Sequence, residues 1–510
     1  MHVRYSLVIV VLAAILAGAP PATAAPDGTL TIGVHVTLVS RWLDPGDTEA
    51  LITPFMVLYG IHDALVKPMP AGINTPSLAE SWSVSKDGIA YEFILRKGIR
   101  FHNGDPVTAE DVKFTFDRYK GSGAKLLKDK VKDVQVVAPN RVRFVLKEPW
   151  PDFMSFYGTS ATGAAWIVPR KYVEQVGDAG FLKHPVGAGP YKFVSYQPGV
   201  ELILEAHDKY WRKSPSVKRL VMKVVPDEAG RLAMLKKGEA DIAYLMTGPL
   251  AEEIKRTPSL RLVPSGGQWV TAVCMFDQSD PKSPWGDVRV RLAASHAVDR
   301  KTIADADSLG VSPPAGSIIP GVVEFGLPVE PHRYDPARAR QLLKEAGYPG
   351  GFDAGEMVGT VQFASAAEAV IDYFRAVGIR SRFRTVERAT YLSAWKDKKL
   401  KNLLFCGAGG YGNAATRIEN YLVSGGTFSF GGYPDVDDLF QQQARERDRG
   451  KRQALLHRIQ QLTSERVLYI PIYALVFNNG VGPRVAESSL GRIPLHYYTA
   501  PFEDLRLRGE

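Results

Sequence analysis

Cysteine is scarce in this sequence, and runs of like charge and long hydrophobic runs are missing. Only two of the 510 residues are cysteine, and the formal net charge of +9 is spread without a run of five like charges. Nucleic-acid-binding proteins concentrate basic residues on one face, so we expect no nucleic-acid partner. After the first 24 residues, no stretch of about 18 uncharged apolar residues occurs, and no membrane-spanning helix is predicted.

Motifs that carry catalysis or hold metals are also missing. The sequence has no G-x-S-x-G elbow, and its ten histidines never stand at H-x-x-x-H or H-E-x-x-H spacing. The segment 187–190 is rich in glycine but lacks the lysine and the following helix of a phosphate-binding loop. We therefore predict a protein that is not an enzyme and that has no metal site and no cofactor, with a secreted hydrolase as a remote alternative.

The N-terminus has the pattern of an export signal. Arg4 precedes an apolar run over 7–17, and Ala22-Thr23-Ala24 forms an A-x-A cleavage site. The apolar run is too short to span a bilayer. We expect cleavage after about Ala24 and a periplasmic protein, and the lack of a cysteine at this point argues against a lipid anchor.

The most acid-rich stretch, "FHNGDPVTAEDVKFTFDRYK" (101–120), is predicted to be structural. Thr108 and Asp111 have the spacing of a capping box at a helix start. The apolar residues that follow share one helical face; they are Ala109, Val112, Phe116 and Tyr119. Electrostatics at the helix start and exposure to solvent account for the acids.

Predicted strands and helices alternate along the chain, which indicates a mixed α/β protein of at least two lobes. A first strand is expected over 29–36 and helices over 227–238 and 334–348. In the last of these, Asp335 is the expected N-cap. A long polar helix is expected over about 442–466.

The two cysteines, Cys274 and Cys406, both lie in apolar, strand-like segments. In an oxidising compartment an even pair predicts one disulfide, and two buried free thiols are the alternative. A bridge would close a loop of roughly 130 residues, which stabilises a fold by on the order of 4 kcal/mol in the chain-entropy model.

Several segments together resemble one family, the peptide/nickel/opine class (family 5) of extracellular solute-binding proteins that serve ABC importers. They run in the family's order from about residue 30 to 480. The segments are "LAESWSVSKDGIAYEFILRKGIRFHNGDPVTAEDVKFTFDR", "GAGPYKFVSYQPG", "HDKYW", "PWGDVRVRLAASHAVDR", "YDPARARQLLKEAGYPGGF" and "DVDDLFQQQARERDRGKRQALLHRIQQLTSERVLYIPIY".

The resemblance implies an α/β, two-lobed periplasmic-binding-protein fold of the large cluster-C type, with an extra inserted subdomain. The lobes would close about a small or peptide-like solute by hinge motion. The closed form, expected to be a monomer, would dock on the permease subunits of an ABC importer at the inner membrane. The implied divisions are 1–24 for the signal peptide, 25–66, 190–270 and 478–510 for lobe I, 67–189 for the subdomain and 271–477 for lobe II.

The resemblance also bears on the ligand. In peptide-binding members an aspartate, in a pattern like W-x-A-D-Y-x-x-P, holds the peptide's free amino group, because a buried ammonium needs a carboxylate partner. Here no acid occurs over 405–418, Phe405 stands near the usual tryptophan, Ala408 replaces the aspartate and Gly412-Asn413 replace the acid–proline pair. Some members also have a cysteine at the position of Cys406 and pair it with one near that of Cys274, which supports the bridge.

Loss of a buried charge's partner typically costs about 3–5 kcal/mol. We therefore predict a ligand without a free α-amine: a small organic acid, an amide, an opine-like or sugar-like solute, or a blocked peptide. A dipeptide or oligopeptide whose amine is met elsewhere is the alternative.

Aromatic walls with a few amides are typical of such a pocket. For the tryptophans, core packing is the alternative, and Arg417 either faces an anionic group or lies on the surface. The expected pocket residues are Trp42, Gln268, Trp269, Phe405, Tyr411, Asn413 and Arg417.

Overall fold

The computed structural model describes residues 25–48, 53–121, 123–158, 162–266, 270–278, 280, 282–409, 412–494 and 496–509. The predicted signal peptide at 1–24 lies outside these residues, so its cleavage stays a prediction. Within the described ranges, no helix has both the length and the apolar character needed to cross a membrane.

Strands and helices alternate along the chain. The strands of the described residues are, in order, β1 (Asp27–Val34), β2 (Val66–Met69), β3 (Gly72–Pro76), β4 (Ala79–Val84), β5 (Ala90–Leu95), β6 (Val131–Ala138), β7 (Arg141–Leu146), β8 (Tyr191–Gln197), β9 (Glu201–Ala206), β10 (Val217–Val224), β11 (Ile242–Met246), β12 (Arg261–Ser265), β13 (Thr271–Phe276), β14 (Phe352–Gly359), β15 (Ile379–Thr385), β16 (Leu403–Ala408), β17 (Tyr469–Ala474), β18 (Phe477–Val481), β19 (Val485–Glu487) and β20 (Arg506–Leu507). The α-helices are α1 (Phe55–Ile61), α2 (Ala109–Arg118), α3 (Ala124–Lys130), α4 (Phe153–Tyr157), α5 (Arg170–Lys183), α6 (Glu228–Lys237), α7 (Gly248–Arg256), α8 (Val288–His296), α9 (Arg300–Ser308), α10 (Pro336–Glu345), α11 (Ala364–Ala376), α12 (Arg388–Lys396), α13 (Ala414–Tyr421), α14 (Pro434–Arg445) and α15 (Arg449–Glu465).

Most of the strands belong to three sheets. A seven-stranded sheet has the order β12-β18-β11-β1-β10-β9-β8, a five-stranded sheet the order β15-β14-β16-β13-β17, and a four-stranded sheet the order β4-β5-β7-β6. We call the first sheet with its helices lobe I, the second with its helices lobe II, and the third with its helices the subdomain.

The first strand lies at the centre of lobe I. It pairs in parallel with β10 on one side and β11 on the other. Leu30, Ile32 and Val34, which share one face of the sheet, are buried, as expected for a central strand that packs against the core. The strand spans Asp27–Val34, two residues earlier than the predicted 29–36. His35 therefore lies directly after the carboxyl-terminal end of this central strand.

The acid-rich motif belongs to the subdomain, and its predicted capping box is confirmed. Thr108 and Asp111 make the reciprocal bonds at the start of α2, with the Thr108 N–H donating to Asp111 Oδ2 at 2.8 Å. The predicted apolar stripe from Ala109 to Tyr119 is buried. Asp111 itself is buried rather than exposed, and burial raises the pKa of its carboxyl group. These contacts within the fold account for the motif.

The N-cap predicted for one other helix is also confirmed. Asp335 accepts a hydrogen bond from the Arg338 N–H at the start of α10. The prediction of a single helix over 442–466 is wrong, because α14 ends at Arg445 and α15 begins at Arg449. Asp448 starts the second helix by accepting from the Lys451 N–H at 2.8 Å, since a short acidic side chain satisfies the free amides of a helix start.

The predicted disulfide is wrong, because both cysteines are buried free thiols. They lie on adjacent antiparallel strands, where Cys274 is opposite Phe405 and Cys406 is opposite Val273. Successive side chains of a strand point to opposite faces of the sheet, so the two thiols lie on different faces. Cys406 instead approaches Met275, with 3.9 Å between the sulfur atoms.

Candidate functional site

The chain crosses between the lobes at two neighbouring connections. It leaves the lobe I sheet after β12 and enters the lobe II sheet at β13, and it returns between β17 and β18. A small cavity of about 20 Å³ lies at this junction, and Asp307 of lobe II is one of the residues that line it. The Tyr473 hydroxyl donates to Asp307, and burial raises the pKa of that carboxyl group. Two short connections beside each other are the arrangement expected of a hinge.

Buried aromatic side chains of lobe I lie beside the hinge. Phe477 at the start of β18 has its ring 4.7 Å from that of Tyr497 and 5.0 Å from that of Tyr498, measured between centroids. Tyr244 of β11 stacks on Tyr498 at 6.5 Å. The Tyr244 hydroxyl is buried without a hydrogen-bond partner among the described residues.

His35 lies beside these rings, directly after β1. Its ring centroid is 4.5 Å from that of Tyr498, and the residue is 8% exposed. Neither ring nitrogen has a hydrogen-bond partner in the described part of the chain. Burial, followed by the charges of Arg231 and Arg388, holds the pKa of His35 well below its usual value, so the imidazole is neutral at neutral pH.

The two arginines belong to different lobes. Arg231 of α6 in lobe I is buried and donates to four backbone carbonyl oxygens, which include those of Tyr244 and Leu245 at 2.7 Å each. Arg388, the first residue of α12 in lobe II, is half-buried and donates to Thr53 Oγ1 of lobe I at 3.2 Å. Burial raises the pKa of Tyr498 to about 12, while both arginines act to lower it.

A buried polar cluster joins the subdomain to lobe II. Asp152, next to α4, accepts from Asn413 Nδ2 at 2.7 Å and forms an ion pair with Arg452 of α15. All three side chains are buried. Asn413 Oδ1 accepts from the Ala415 N–H at 3.0 Å and caps α13. The Asn413 amide therefore bonds to the protein itself through both its oxygen and its nitrogen.

One further acid follows the altered segment of the sequence. Glu419 lies on α13, one residue after the acid-free stretch 405–418. Burial, followed by repulsion from Asp152, raises the pKa of Glu419 to about 7. A carboxyl group with this pKa changes between its protonated and ionised forms near neutral pH.

The structure places the other predicted pocket residues as follows. Trp42 is half-buried in a short 3-10 helix, Ser40–Leu43, after β1. Phe405 is fully buried on β16, with its ring 6.0 Å from that of Phe363. Arg417 is buried rather than on the surface and donates to the Ile318 carbonyl oxygen at 3.1 Å. Gln268, Trp269 and Tyr411 lie outside the described residues, and a role in binding stays a prediction for the whole set.

Sequence reasoning missed His35, Arg388, Tyr498 and Asp152. His35 stands in the apolar stretch "TIGVHVTLV", where a single histidine directly after a strand is the available signal. Arg388 and Tyr498 are more than 100 residues apart, and no spacing rule connects them. The fold alone brings them together.

The sequence matches a family model described as bacterial extracellular solute-binding proteins, family 5, over residues 75–429. It is 30% identical over 380 residues to the glutathione-binding protein GsiB of Salmonella choleraesuis, covering 72% of this chain and 71% of that protein. It is 29% identical over 381 residues to heme-binding protein A of Haemophilus influenzae, covering 68% and 69%.

The fold matches solved structures of binding proteins. The dipeptide-binding protein of Pseudoalteromonas sp. SM9913 in complex with Met-Leu has a TM-score of 0.82, with 20% identity over 94% of this chain and 100% of the other. The protein AgaA of A. tumefaciens R10 in complex with agropinic acid has a TM-score of 0.79, with 22% identity over 95% and 99%. These likenesses confirm the predicted two-lobed periplasmic-binding-protein fold.

Proposed function

The chain belongs to family 5 of the bacterial extracellular solute-binding proteins, and we propose that it is a periplasmic receptor for a small solute. The solute would lie in the cleft between lobe I and lobe II and would be delivered to the permease subunits of an ABC importer. The hinge between β12 and β13 and between β17 and β18, with aromatic rings and polar groups beside it, supports this proposal. A receptor of this kind releases its solute unchanged, so no catalysis is proposed.

The proposed solute lacks a free α-amine. The observation that supports an amine-free solute is that Asn413 and Asp152 are already bonded to other groups of the protein. Asn413 stands in place of the acid–proline pair of peptide-binding members, and both ends of its amide bond to the protein. The nearby carboxylate of Asp152 is already paired with Arg452. An ammonium group buried here would lack an ionic partner, and such burial is strongly unfavourable.

The alternative is a peptide receptor, and Glu419 is the observation that favours it. This half-buried acid follows the altered segment, and burial holds its pKa at about 7. A cation would restore the ionised form of Glu419, because an opposite charge close by favours the charged state. Glu419 would therefore bind the peptide's amino group, in place of the aspartate that binds it in peptide-binding members of the family.

Native mass spectrometry of protein purified from its own host tests the receptor proposal. We expect one solute per chain, with the same mass before and after long incubation. Conversion of the solute would instead favour the hydrolase alternative, and the lack of any bound solute from the host or from an added library would contradict the receptor proposal.

Thermal unfolding with trialanine and with N-acetyl-trialanine separates the two ligand classes. If the free-amine peptide stabilises the protein strongly and its acetylated form does not, the proposal of an amine-free solute fails. Glu419→Gln then identifies the anchor, because it would abolish that stabilisation. Glu368→Gln, an exposed acid on α11 of the same lobe, is the matched control and should leave it unchanged.

A further inference from the structure

We propose that His35 of lobe I and Arg388 of lobe II together bind a carboxylate group of the solute. This inference rests on the proposed receptor function and deepens it, since it names the charged group that the cleft recognises. The site is made of one neutral donor and one cation, supplied from opposite sides of the cleft.

His35 is the first part of this site. The residue is more than nine-tenths buried, and both of its ring nitrogens are without a hydrogen-bond partner among the described residues. Buried polar groups in folded proteins are nearly always hydrogen-bonded, so an unpartnered pair of this kind calls for an explanation. Packing against Tyr498 does not explain it, because a phenylalanine ring would pack there without a buried polar atom. A ligand acceptor for the imidazole N–H would explain it.

Arg388 is the second part. Within the described residues its guanidinium forms no ion pair, and its one hydrogen bond goes to Thr53 Oγ1 across the cleft. That bond uses one of five N–H donors. A carboxylate accepts two parallel bonds from a guanidinium, which is the geometry that arginine favours in binding sites. Arg388 thus has further N–H groups that can donate to a ligand where the two lobes meet.

The charge around His35 also suits an anion. The charged groups that act on the imidazole are Arg231 and Arg388, both positive, and the same pair acts on Tyr498. Arg231 already donates to four backbone carbonyls, so Arg388 is left to supply the ligand's counter-charge. One available guanidinium matches a singly charged group, and we therefore assign a carboxylate rather than a doubly charged phosphate.

Matched pairs of an acid and its amide test this assignment. We would measure the dissociation constants of N-acetylated amino acids, hydroxy acids and sugar acids, each beside its neutral carboxamide. We would also extract the solute that co-purifies and couple it to aniline with a carbodiimide, which tags carboxylates. We expect the bound members to be acids, at least tenfold tighter than their amides, and the extracted solute to take the tag.

Variants then connect the preference to the two residues. Arg388→Gln should reduce the acid-over-amide ratio at least tenfold, and Arg388→Lys should restore part of it. Arg380→Gln, an exposed arginine on β15 of the same lobe, should leave the ratio unchanged. His35→Phe should weaken acid binding at least tenfold yet raise the unfolding temperature of the solute-free protein, because it removes unpartnered nitrogens. A histidine with a purely structural role would give the opposite shift in temperature.

Equal binding of acids and amides, or an extracted solute without a carboxylate, would overturn the carboxylate site and leave the receptor proposal standing. An unchanged acid-over-amide ratio in Arg388→Gln would also overturn it. If no acid binds and no tagged solute is extracted, the inference is wrong as well. Failure of the receptor proposal is recognised separately, by the lack of any bound solute of any class.

Discussion

At the scale of single residues, lobe II contains a carboxyl group whose proton affinity changes on folding. Glu419 has a pKa of about 7 in the folded protein, above the usual value for glutamate, because burial and Asp152 both disfavour its charge. The folded state therefore binds the proton more tightly than the unfolded state. Stability linked to this group is fully present below about pH 4.3, the ordinary glutamate value, and is lost as the pH rises through about 7.

We expect Glu419→Gln to remove this part of the pH dependence. The variant should gain on the order of 2 kcal/mol of unfolding free energy over the wild type at pH 8, and almost none at pH 4. Urea unfolding of both proteins across this range measures the difference. A constant difference at all pH values would show that the side chain acts through packing rather than through its charge.

The cysteines give a second prediction at this scale. Cys274 and Cys406 lie on opposite faces of the lobe II sheet, and burial raises the pKa of each thiol. We expect neither thiol to react with Ellman's reagent in the folded protein. Both should react after unfolding without a reductant. A protein that releases thiols only after reduction would contain the bridge that the sheet geometry excludes.

At the scale of elements, the contact between α4, α13 and α15 is a buried ion pair that spans two parts of the molecule. Asp152 comes from the subdomain, and Arg452 comes from lobe II. Removing one partner of such a pair leaves an uncompensated buried charge and costs about 3–5 kcal/mol. We expect this cost for Asp152→Ala, measured by urea unfolding.

The double variant Asp152→Ala with Arg452→Met is the control for that prediction. Because it removes both charges, it should be considerably more stable than the sum of the single variants implies. Additive losses would show that the two residues do not interact. Arg466→Met, on the exposed ion pair with Asp435, should cost no more than about 1 kcal/mol.

Local sequence signals predicted the elements better than the site. Thr108 with Asp111 and Asp335 before Pro336 are signals contained within a few residues, and the helices that they predict are present. The prediction of a disulfide was wrong because it depended on the arrangement of two strands in the sheet. Spacing along the chain does not reveal which face of a sheet a side chain takes, and Cys274 and Cys406 differ in that face.

The candidate site could not be predicted from short sequence patterns, because its residues come from distant parts of the chain. His35 packs against Tyr498, and the charge of Arg388 acts on both, only when the central strand, a lobe II helix and the C-terminal segment are assembled. The family resemblance directed attention to 403–422, where an expected acid is absent. It could not show that Asn413 bonds to Asp152.

At the scale of the whole molecule, a few polar contacts join lobe I, lobe II and the subdomain. Arg388 of lobe II donates to Thr53 Oγ1 of lobe I, and Arg447 donates to the Lys86 carbonyl oxygen of the subdomain at 2.9 Å. These are single hydrogen bonds of partly exposed side chains, each worth about 1 kcal/mol. The buried pair of Asp152 and Arg452 joins the subdomain to lobe II, and pairs of this kind give little net stabilisation. If the chain is the receptor proposed above, a solute that contacts both lobes would therefore supply most of the stability of a closed arrangement.

Removing the solute should accordingly open the molecule. We expect protein unfolded in guanidinium, dialysed and refolded to have a larger radius of gyration by small-angle X-ray scattering than protein that retains its solute. Returning the extracted solute should restore the smaller value, because a ligand shifts an equilibrium by its difference in affinity for the two states. Arg388→Gln should need a higher solute concentration for the same change. If the stripped and loaded proteins scatter identically, hinge closure does not accompany binding, and recognition occurs within a cleft that is already closed.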